Sequence, residues 1–401
     1  MIASKLLFVA EAVSLAHVAR PSVLAHRAVE LGHEVVFASN GQFPICSASP
    51  EWQSHTLQSI APALFLQRLA AGQPVYTEAE LRQYVEADIR MLESVRPAAV
   101  VGDYRLSLSV AARKVGIPLL SIANAHWSPF ARDQRMQAPE MAPARYLGYA
   151  GLDLVFRAVW PWASLHHCAA MNRVRKDHGL PPYQTLREYY CDGDLTLYSD
   201  TPALVPTEGL PASHHYVGPI VWSPTMGLPE WWERAVSQTR PLAYITLGST
   251  GSVDLLPGII EACLAEGLSC LVATAGRSDF RSDSPHVFSA PYLPGSEAAA
   301  RADLVVCNGG SATVQQALQK GRPVLGICSN LDQVLTMKAM QQAGVGRYFR
   351  AGQFAQPRMR QALRDLATDP ALRARAAAMV GEFAQWDPRI HFPRVLHTVL
   401  A

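Results

Sequence analysis

The chain has 401 residues, 49% of them hydrophobic and 17% charged, with a formal net charge of +2. The length exceeds what one ordinary core supports and predicts two or three domains, and the small charge gives no reason to expect a nucleic-acid partner. Seven scattered cysteines form neither a disulfide framework nor a zinc-ligand spacing, which favours a cytoplasmic protein.

The first apolar segment looks like a signal peptide, because Lys5 precedes a hydrophobic run and small residues. Glu11 interrupts this run, so we predict a buried strand over residues 5–12, followed by a loop and a helix. No apolar run reaches the roughly 18 residues that a membrane span needs.

Strands and helices alternate in the first half of the sequence. The predicted elements are helices over 18–31 and 106–115 and strands over 34–39, 98–103 and 117–124. This βαβ order implies a parallel sheet with helices on both faces. Two long segments, 41–90 and 126–165, interrupt the order, which is typical of regions that serve function or partner contacts.

The alternation restarts after a Pro- and Gly-rich tract, residues 205–232, that has the composition of a linker. The predicted elements of the second half are strands over 242–248, 270–276, 286–290, 303–308 and 323–327 and helices near 255–266 and from about 313. We therefore predict an α/β protein with two parallel sheets. In such proteins ligands bind between the halves, at the carboxyl ends of the strands.

The stretch CNGGSATVQQAL, from Cys307, is a strand-to-helix corner that contains Gly309 and Gly310. Ser311 and Thr313 follow at the predicted start of the helix. The N–H groups and dipole of a helix N-terminus attract anions, and diphosphate is the natural ligand; a glycine turn without a ligand is the alternative.

A second corner of this kind lies in ITLGSTGS (245–252), where Gly248 is followed by Ser249 and Thr250. Two such corners in one domain can hold a single diphosphate from two sides. The pair favours an anion site more strongly than either corner alone.

These motifs resemble the nucleotide-sugar domain of family 1 glycosyltransferases with the GT-B fold, which include bacterial macrolide and antibiotic enzymes and plant UDP-glycosyltransferases. The family pattern is an aromatic or apolar residue before a proline, a strand ending in His-Gly-Gly, a helix, Gly-x-Pro and Asp-Gln. The matching residues here are Tyr292-Leu293-Pro294, Asn308-Gly309-Gly310-Ser311-Ala312-Thr313, Gly321-Arg322-Pro323 and Asp332-Gln333. The resemblance covers essentially the whole chain.

The resemblance implies two Rossmann-like parallel-sheet domains facing across a cleft. The expected parts are an acceptor-binding domain over 1–222, a linker over 223–240, a nucleotide-sugar-binding domain over 241–380 and a C-terminal helix over 381–401 that packs back on the first domain.

The resemblance also implies a set of donor-binding residues. Tyr292 would stack on the nucleobase, the Leu293 backbone would bond its edge, and Asp332 and Gln333 would bind sugar hydroxyls. Tyr292 packed against the sheet and Asp332 as a helix cap are the alternatives. The full expected set is Ser249, Thr250, Tyr292, Leu293, Asn308, Gly309, Gly310, Ser311, Thr313, Gln316, Asp332 and Gln333.

The chain departs from the family pattern at three of these positions. Asn308 replaces the histidine that binds diphosphate, and its amide can donate a hydrogen bond but carries no charge. Ala312 replaces a common glycine. Gln316 stands where many relatives have a ribose-binding glutamate, and a deoxyribose donor such as a dTDP-sugar would lose least from that change.

In the first half, SLAHVARP resembles the family's Gly-His-x-x-Pro loop, with Ala16 for glycine and an extra residue before Pro21. By this resemblance His17 would remove a proton from the acceptor hydroxyl, which suits an imidazole near neutral pH. Asp103, at the end of a predicted strand, would orient the imidazole and stabilise its cation.

Two further features have alternative interpretations. Asp192-Gly193-Asp194 has the spacing of a metal-binding motif, but a turn that enters a strand is favoured, so no metal and no cofactor are expected. The apolar segment 126–165, with Trp160 and Trp162, is either a surface for an apolar acceptor or membrane lipid, or a core helix.

The sequence thus predicts an inverting, metal-independent glycosyltransferase. It would move sugar from a UDP- or dTDP-sugar to a hydroxyl of a small, apolar acceptor such as a natural product or lipid. A non-catalytic sugar-nucleotide-binding or accessory protein is the main alternative, because of Asn308 and Gln316. A sugar-nucleotide epimerase is a weaker one, because it would need more acidic residues and histidines around the sugar. Acceptor, donor base and oligomeric state stay open.

Overall fold

The structure is a computed structural model that describes residues 3–400. The chain forms two compact units. The first contains the chain up to Arg135, residues 158–220 and the chain from Trp386 onward; the second contains residues 136–157 and 221–385. The sequence placed 136–157 in the first domain. This was wrong because the segment bonds to the last strand of the second unit, with Asp153 paired to Arg350 at 2.6 Å.

Thirteen strands in residues 3–400 form two sheets in which every neighbouring pair is parallel. The seven of the first unit are β1 Lys5–Ala10, β2 Glu34–Ser39, β3 Gln53–Thr56, β4 Ala99–Asp103, β5 Leu119–Ala123, β6 Leu195–Tyr198 and β7 His214–Tyr216. The six of the second unit are β8 Leu242–Thr246, β9 Ser269–Ala273, β10 Val287–Ala290, β11 Leu304–Cys307, β12 Val324–Cys328 and β13 Gly346–Arg350.

The helices connect these strands in the alternating order that the sequence predicts. They are α1 Leu15–Glu30, α2 Pro44–Ser47, α3 Pro62–Ala70, α4 Glu78–Val95, α5 Leu108–Val115, α6 Ala144–Asp177, α7 Leu186–Tyr190, α8 Trp232–Val236, α9 Leu256–Ala265, α10 Gly295–Arg301, α11 Ser311–Gln319, α12 Leu331–Gln342, α13 Gln356–Thr368, α14 Pro370–Gln385 and α15 Pro388–Leu400. Among residues 3–400, none of them is both long enough and apolar enough to cross a membrane.

Both sheets have the same strand order. The first runs β3-β2-β1-β4-β5-β6-β7 and the second β10-β9-β8-β11-β12-β13. In each, the order reverses between two central strands, β1 and β4 or β8 and β11. Ligands of open α/β sheets bind at the carboxyl ends of the strands at such a reversal. Two Rossmann-like parallel sheets, predicted from the sequence, are confirmed.

Each unit has its own apolar core beneath its sheet. Val9 and Val100 lie in the core of the first unit, and Ile245 and Val306 lie in that of the second, all fully buried. These side chains belong to the strands on either side of the reversal. The strands that lead to the candidate site residues therefore pack into the apolar core of each unit.

Candidate functional site

His17 lies in the first turn of a helix rather than in a loop. The sequence predicts the helix from residue 18, whereas α1 begins at Leu15 and includes Pro21. Because proline has no N–H, Pro21 cannot donate to the carbonyl of His17, its partner four residues back. His17 thus lies in the first turn of a helix that begins five residues after Ala10, the end of β1, and its carbonyl receives no N–H from residue 21.

The imidazole of His17 bonds to the carboxylate at the end of the adjacent strand. His17 Nδ1 lies 2.7 Å from Asp103 Oδ1, the Asp103 side chain is fully buried and that of His17 is 23% exposed. In the tautomer whose Nδ1 carries the proton, this bond runs from Nδ1–H to Asp103, and Nε2 is the unprotonated nitrogen. The predicted pair is therefore brought together.

Arg20, which the sequence analysis did not single out, holds Asp103 from the other side. Its Nε and Nη2 each donate to a different oxygen of Asp103 at 2.8 Å, and its Nη1 donates to Asn124 Oδ1 at 2.8 Å. Arg20 and His17 are three residues apart on α1 and so share a face. Arg20 thus holds both oxygens of Asp103, and its Nη2 also lies 3.1 Å from His17 Nδ1.

Tyr104 covers one face of the same imidazole. Its ring is stacked on that of His17, with centroids 4.7 Å apart and planes at 27°. Tyr104 has a φ of 57°, in the left-handed region that a bulky residue rarely adopts. Desolvation raises the pKa of its phenol well above the usual value, so the ring stays neutral. Backbone strain of this kind concentrates at functional sites.

The second unit places the two glycine corners on neighbouring strands, β8 and β11. Gly309 has a φ of 82°, and a Cβ there would lie 2.7 Å from Met337 Cγ and 2.8 Å from Cys328 Sγ. Glycine is required at this position on both counts. Helix α11 begins two residues later, at Ser311, with no side-chain cap bond at Gly310.

Asn308 ties the two corners together. Its Nδ2 donates to Thr250 Oγ1 at 2.9 Å, and its Oδ1 accepts from the N–H of Gly310 at 3.1 Å. Ser249 beside it is exposed, and Ser311 and Thr313 are half-buried at the start of α11. The corner from β8 and the corner from β11 thus form one contiguous group.

The predicted sugar-binding pair lies at the start of α12. Asn330 is the helix cap, and its side chain accepts from the N–H of Gln333 at 3.0 Å, so Asp332 is not the cap. Gln333 is buried; its Oε1 accepts from the Ser329 N–H at 2.8 Å and its Nε2 donates to Thr250 at 3.0 Å. Asp332 is half-buried in the first turn.

The predicted nucleobase platform follows β10. Tyr292 is 57% exposed, which excludes the alternative of a ring packed against the sheet. Its hydroxyl donates to the Ala275 carbonyl at 3.3 Å, and the next residue, Leu293, is buried. Gln316 lies beside this segment, since a Cβ at Gly295 would lie 2.6 Å from its Oε1, and its Nε2 donates to the Trp222 carbonyl at 2.6 Å.

The Asp192-Gly193-Asp194 motif is part of the scaffold. Asp192 pairs with Arg113 at 2.6 Å and with Arg175 at 2.8 Å, and Asp194 accepts from the Leu119 N–H at 2.8 Å. Among residues 3–400, no group of three or more His, Cys, Asp or Glu side chains is arranged to hold a metal ion.

The apolar segment around Trp162 is not a core helix. Trp162 on α6 is 69% exposed, and two more large apolar side chains in the part of this helix that belongs to the first unit, Val159 and Leu165, are exposed with it. Their spacing puts them on one face of α6.

No protein-family model matches the chain. It is 40% identical over 397 residues to a PGL/p-HBAD biosynthesis rhamnosyltransferase of Mycobacterium bovis BCG, a match that covers 99% of this chain and 87% of that protein. The chain belongs to this family of glycosyltransferases.

The chain is also similar to two further glycosyltransferases. An inactive PGL/p-HBAD biosynthesis glycosyltransferase of Mycobacterium bovis BCG is 40% identical over 259 residues, which is 64% of this chain and 70% of that protein. The solved structure of the spinosyn rhamnosyltransferase SpnG with thymidine diphosphate has a TM-score of 0.66 at 17% identity, over 98% of this chain and 100% of that one. The predicted GT-B fold is thereby confirmed.

Proposed function

We propose that this glycosyltransferase moves a sugar from a UDP- or dTDP-sugar to a hydroxyl of a small apolar acceptor, with inversion at the anomeric carbon and without a metal. The observation that carries the proposal is the His17–Asp103 bond at the end of β1 and β4, with Nε2 left for a substrate proton. A rhamnosyl donor is the first choice, because the relative in Mycobacterium bovis BCG is named a rhamnosyltransferase.

In the proposed reaction, the acceptor hydroxyl gives its proton to His17 Nε2 while its oxygen bonds to the anomeric carbon. The bond between that carbon and the diphosphate oxygen breaks, and its electron pair leaves with the nucleoside diphosphate. Asp103 lies beside the imidazolium that forms. The N-terminus of α11, which begins at Ser311, would donate N–H groups to the leaving diphosphate as its negative charge develops.

The first test is a His17→Ala variant, assayed with dTDP-rhamnose and UDP-rhamnose against a panel of apolar alcohols. We expect kcat to fall by a factor of about 10²–10⁴, the contribution of a general base, while thymidine diphosphate binds as before. NMR of the product's anomeric proton tests inversion, and added EDTA tests the metal requirement. Full activity of the variant would eliminate His17 as the base.

Two observations favour a second candidate, a protein that binds sugar nucleotides without turnover. One relative is named inactive. In addition, the side-chain amides of Asn308 and Gln316 donate hydrogen bonds within the protein, to Thr250 and to the Trp222 carbonyl. Calorimetry together with a transfer assay distinguishes the two candidates. A non-catalytic protein would bind nucleoside diphosphate in calorimetry, yet it would transfer no sugar to an acceptor or to water. We place the reaction in the cytoplasm, where the seven buried free cysteines would stay reduced.

We further propose that the exposed apolar face of α6 contacts anionic lipid bilayers. The acidic residues of α6 are Asp153, paired with Arg350, and Asp177, paired with Arg82 at 2.6 Å. Lys176, near the C-terminal end of the helix, is an exposed cation. An apolar helix face with a cation and with its carboxylates held in ion pairs suits a negatively charged membrane surface.

Vesicle flotation tests this contact. The wild type should bind phosphatidylglycerol vesicles more tightly than phosphatidylcholine vesicles, and Trp162→Ser should weaken binding roughly tenfold through lost apolar burial. Ile390→Ser, on α15, is a control because Ile390 is also exposed. Equal binding by the wild type and Trp162→Ser would contradict the proposal.

A further inference from the structure

We infer, on the basis of the donor site proposed above, that Arg277 supplies the positive charge for the donor's diphosphate in place of the histidine that Asn308 replaces. Arg277 lies outside the motifs that the sequence shares with its family. It follows β9, in the turn that contains Ala275 and Gly276.

The diphosphate corner is short of positive charge without such a residue. Asn308 is neutral, and its amide is already bonded to Thr250 and to the N–H of Gly310. The N-terminus of α11 contributes the equivalent of about half a charge. A nucleoside diphosphate carries at least two negative charges, and enzymes of this kind stabilise them with cations or dense N–H donors.

The guanidinium of Arg277 lies against this corner. Its Nη1 donates to the Gly251 carbonyl at 2.7 Å and lies 3.4 Å from that of Gly248. Gly251 is in turn packed on Asn308, since a Cβ at Gly251 would lie 3.0 Å from Asn308 Cβ. Arg277, Gly251 and Asn308 are therefore consecutive neighbours in one group.

The turn that carries Arg277 also touches the predicted nucleobase platform. The Tyr292 hydroxyl donates to the Ala275 carbonyl, and a Cβ at Gly276 would lie 3.1 Å from that hydroxyl. Ala275 and Gly276 both have a positive φ, of 55° and 67°. This tight turn places Arg277 between the Tyr292 ring and the corner, where the phosphates of a stacked nucleotide would lie.

The charge of Arg277 is not matched by a carboxylate. Within residues 3–400, the hydrogen-bond partners of its side chain are the two neutral carbonyl oxygens, and the residue is exposed. A guanidinium has five N–H donors, so the bond from Nη1 leaves the remaining donors for phosphate oxygens. Arginine rather than lysine suits this task because its planar fork binds two oxygens at once.

Calorimetric titration of Arg277→Gln with thymidine diphosphate tests the inference, with the uncharged nucleoside thymidine titrated by NMR. We expect thymidine diphosphate to bind about 10- to 100-fold more weakly, the range for charge-assisted hydrogen bonds, while thymidine binds within about twofold of the wild type. Arg281→Gln is the matched control, because Arg281 is exposed and four residues away, and should bind both ligands as the wild type does.

Asn308→His in the Arg277→Gln background sharpens the test. If Arg277 replaces the histidine charge, this second change should recover at least about fivefold of the lost diphosphate affinity. Arg277→Lys, which keeps the charge, should lose less than Arg277→Gln. Unchanged thymidine diphosphate affinity in Arg277→Gln would overturn the inference, and so would an equal loss for both ligands, which would mean that Arg277 only shapes the turn. If the wild type binds none of thymidine diphosphate, uridine diphosphate and guanosine diphosphate, the proposed donor site itself is contradicted.

Discussion

The first and second units place different residues at the same point of the same strand order. In the first, the reversal between β1 and β4 carries ionisable side chains, His17 and Asp103, with Arg20 behind them. In the second, the reversal between β8 and β11 carries glycines, hydroxyls and the amide of Asn308. A shared topology thus fixes where a site lies, and the side chains set whether it suits proton transfer or anion binding.

The two sites are also held in place differently. The first depends on a buried ion pair between residues 83 positions apart in the sequence, Arg20 and Asp103. The second depends on backbone conformations at Gly309 and Gly248, both with positive φ. Substitutions in the first site should therefore affect the chemical step, and those in the second should affect donor binding.

Asp103→Asn should have the largest effect. The amide no longer selects the proton position on His17 and cannot stabilise the imidazolium, so we expect kcat to fall by about 10³–10⁴. The affinity for thymidine diphosphate should stay unchanged, because the residue belongs to the other unit's site. Steady-state kinetics measures kcat, and calorimetry measures the affinity. An equal loss in both would contradict the assignment of Asp103 to the chemical step alone.

Arg20→Met should come next, and it should reduce stability as well as rate. It leaves the fully buried Asp103 without its ion-pair partner, which costs about 3–5 kcal/mol in free energy of unfolding. Arg20→Lys should retain part of this stability, since the charge remains but the two-point contact is lost. Denaturant unfolding gives the free energies. A stable Arg20→Met variant with wild-type kcat would show that Asp103 needs no second partner.

Gly309→Ala should act on donor binding. The new Cβ meets Met337 and Cys328 below 3 Å at a positive φ, so we expect about 1–3 kcal/mol of destabilisation and weaker thymidine diphosphate binding. Gly310→Ala is the matched control, because φ there is −69° and its nearest neighbour would be 3.3 Å away. Melting curves with and without nucleotide measure both effects. Similar losses in the two variants would mean that backbone conformation at Gly309 has no special role.

The repeating order of strands and helices predicted the two sheets, because apolar strand segments stand out between glycine and proline boundaries. The sequence did not predict the short edge strands. Strand β3, with the sequence QSHT, contains no apolar residue and is mostly exposed, so it lacks the apolar pattern by which a strand is recognised. The sequence also predicted His17 with Asp103 through the family pattern. It could not predict Arg20 or Arg277, since an arginine on a helix or in a turn is normally solvated, and their partners are distant in sequence.

Residues 136–157 show the same limit. Their apolar character predicted a functional segment or a core helix of the first half, whereas Gln137 bonds to Tyr348 at 2.6 Å in the second unit. Contacts between residues 211 positions apart leave no local signal in a single sequence.

Gln316→Glu should have the smallest effect. It tests whether the site in the second unit discriminates between a ribose and a deoxyribose in the bound nucleotide. In the wild type, Gln316 donates to the Trp222 carbonyl, which an ionised glutamate cannot do, so about 1 kcal/mol of stability should be lost. A carboxylate next to the nucleotide would also bind paired ribose hydroxyls better than the amide. We therefore expect the affinity for uridine diphosphate to rise several-fold relative to thymidine diphosphate. If both nucleotides change equally in calorimetry, Gln316 only anchors Trp222, and the choice between UDP- and dTDP-sugars must depend on contacts to the base.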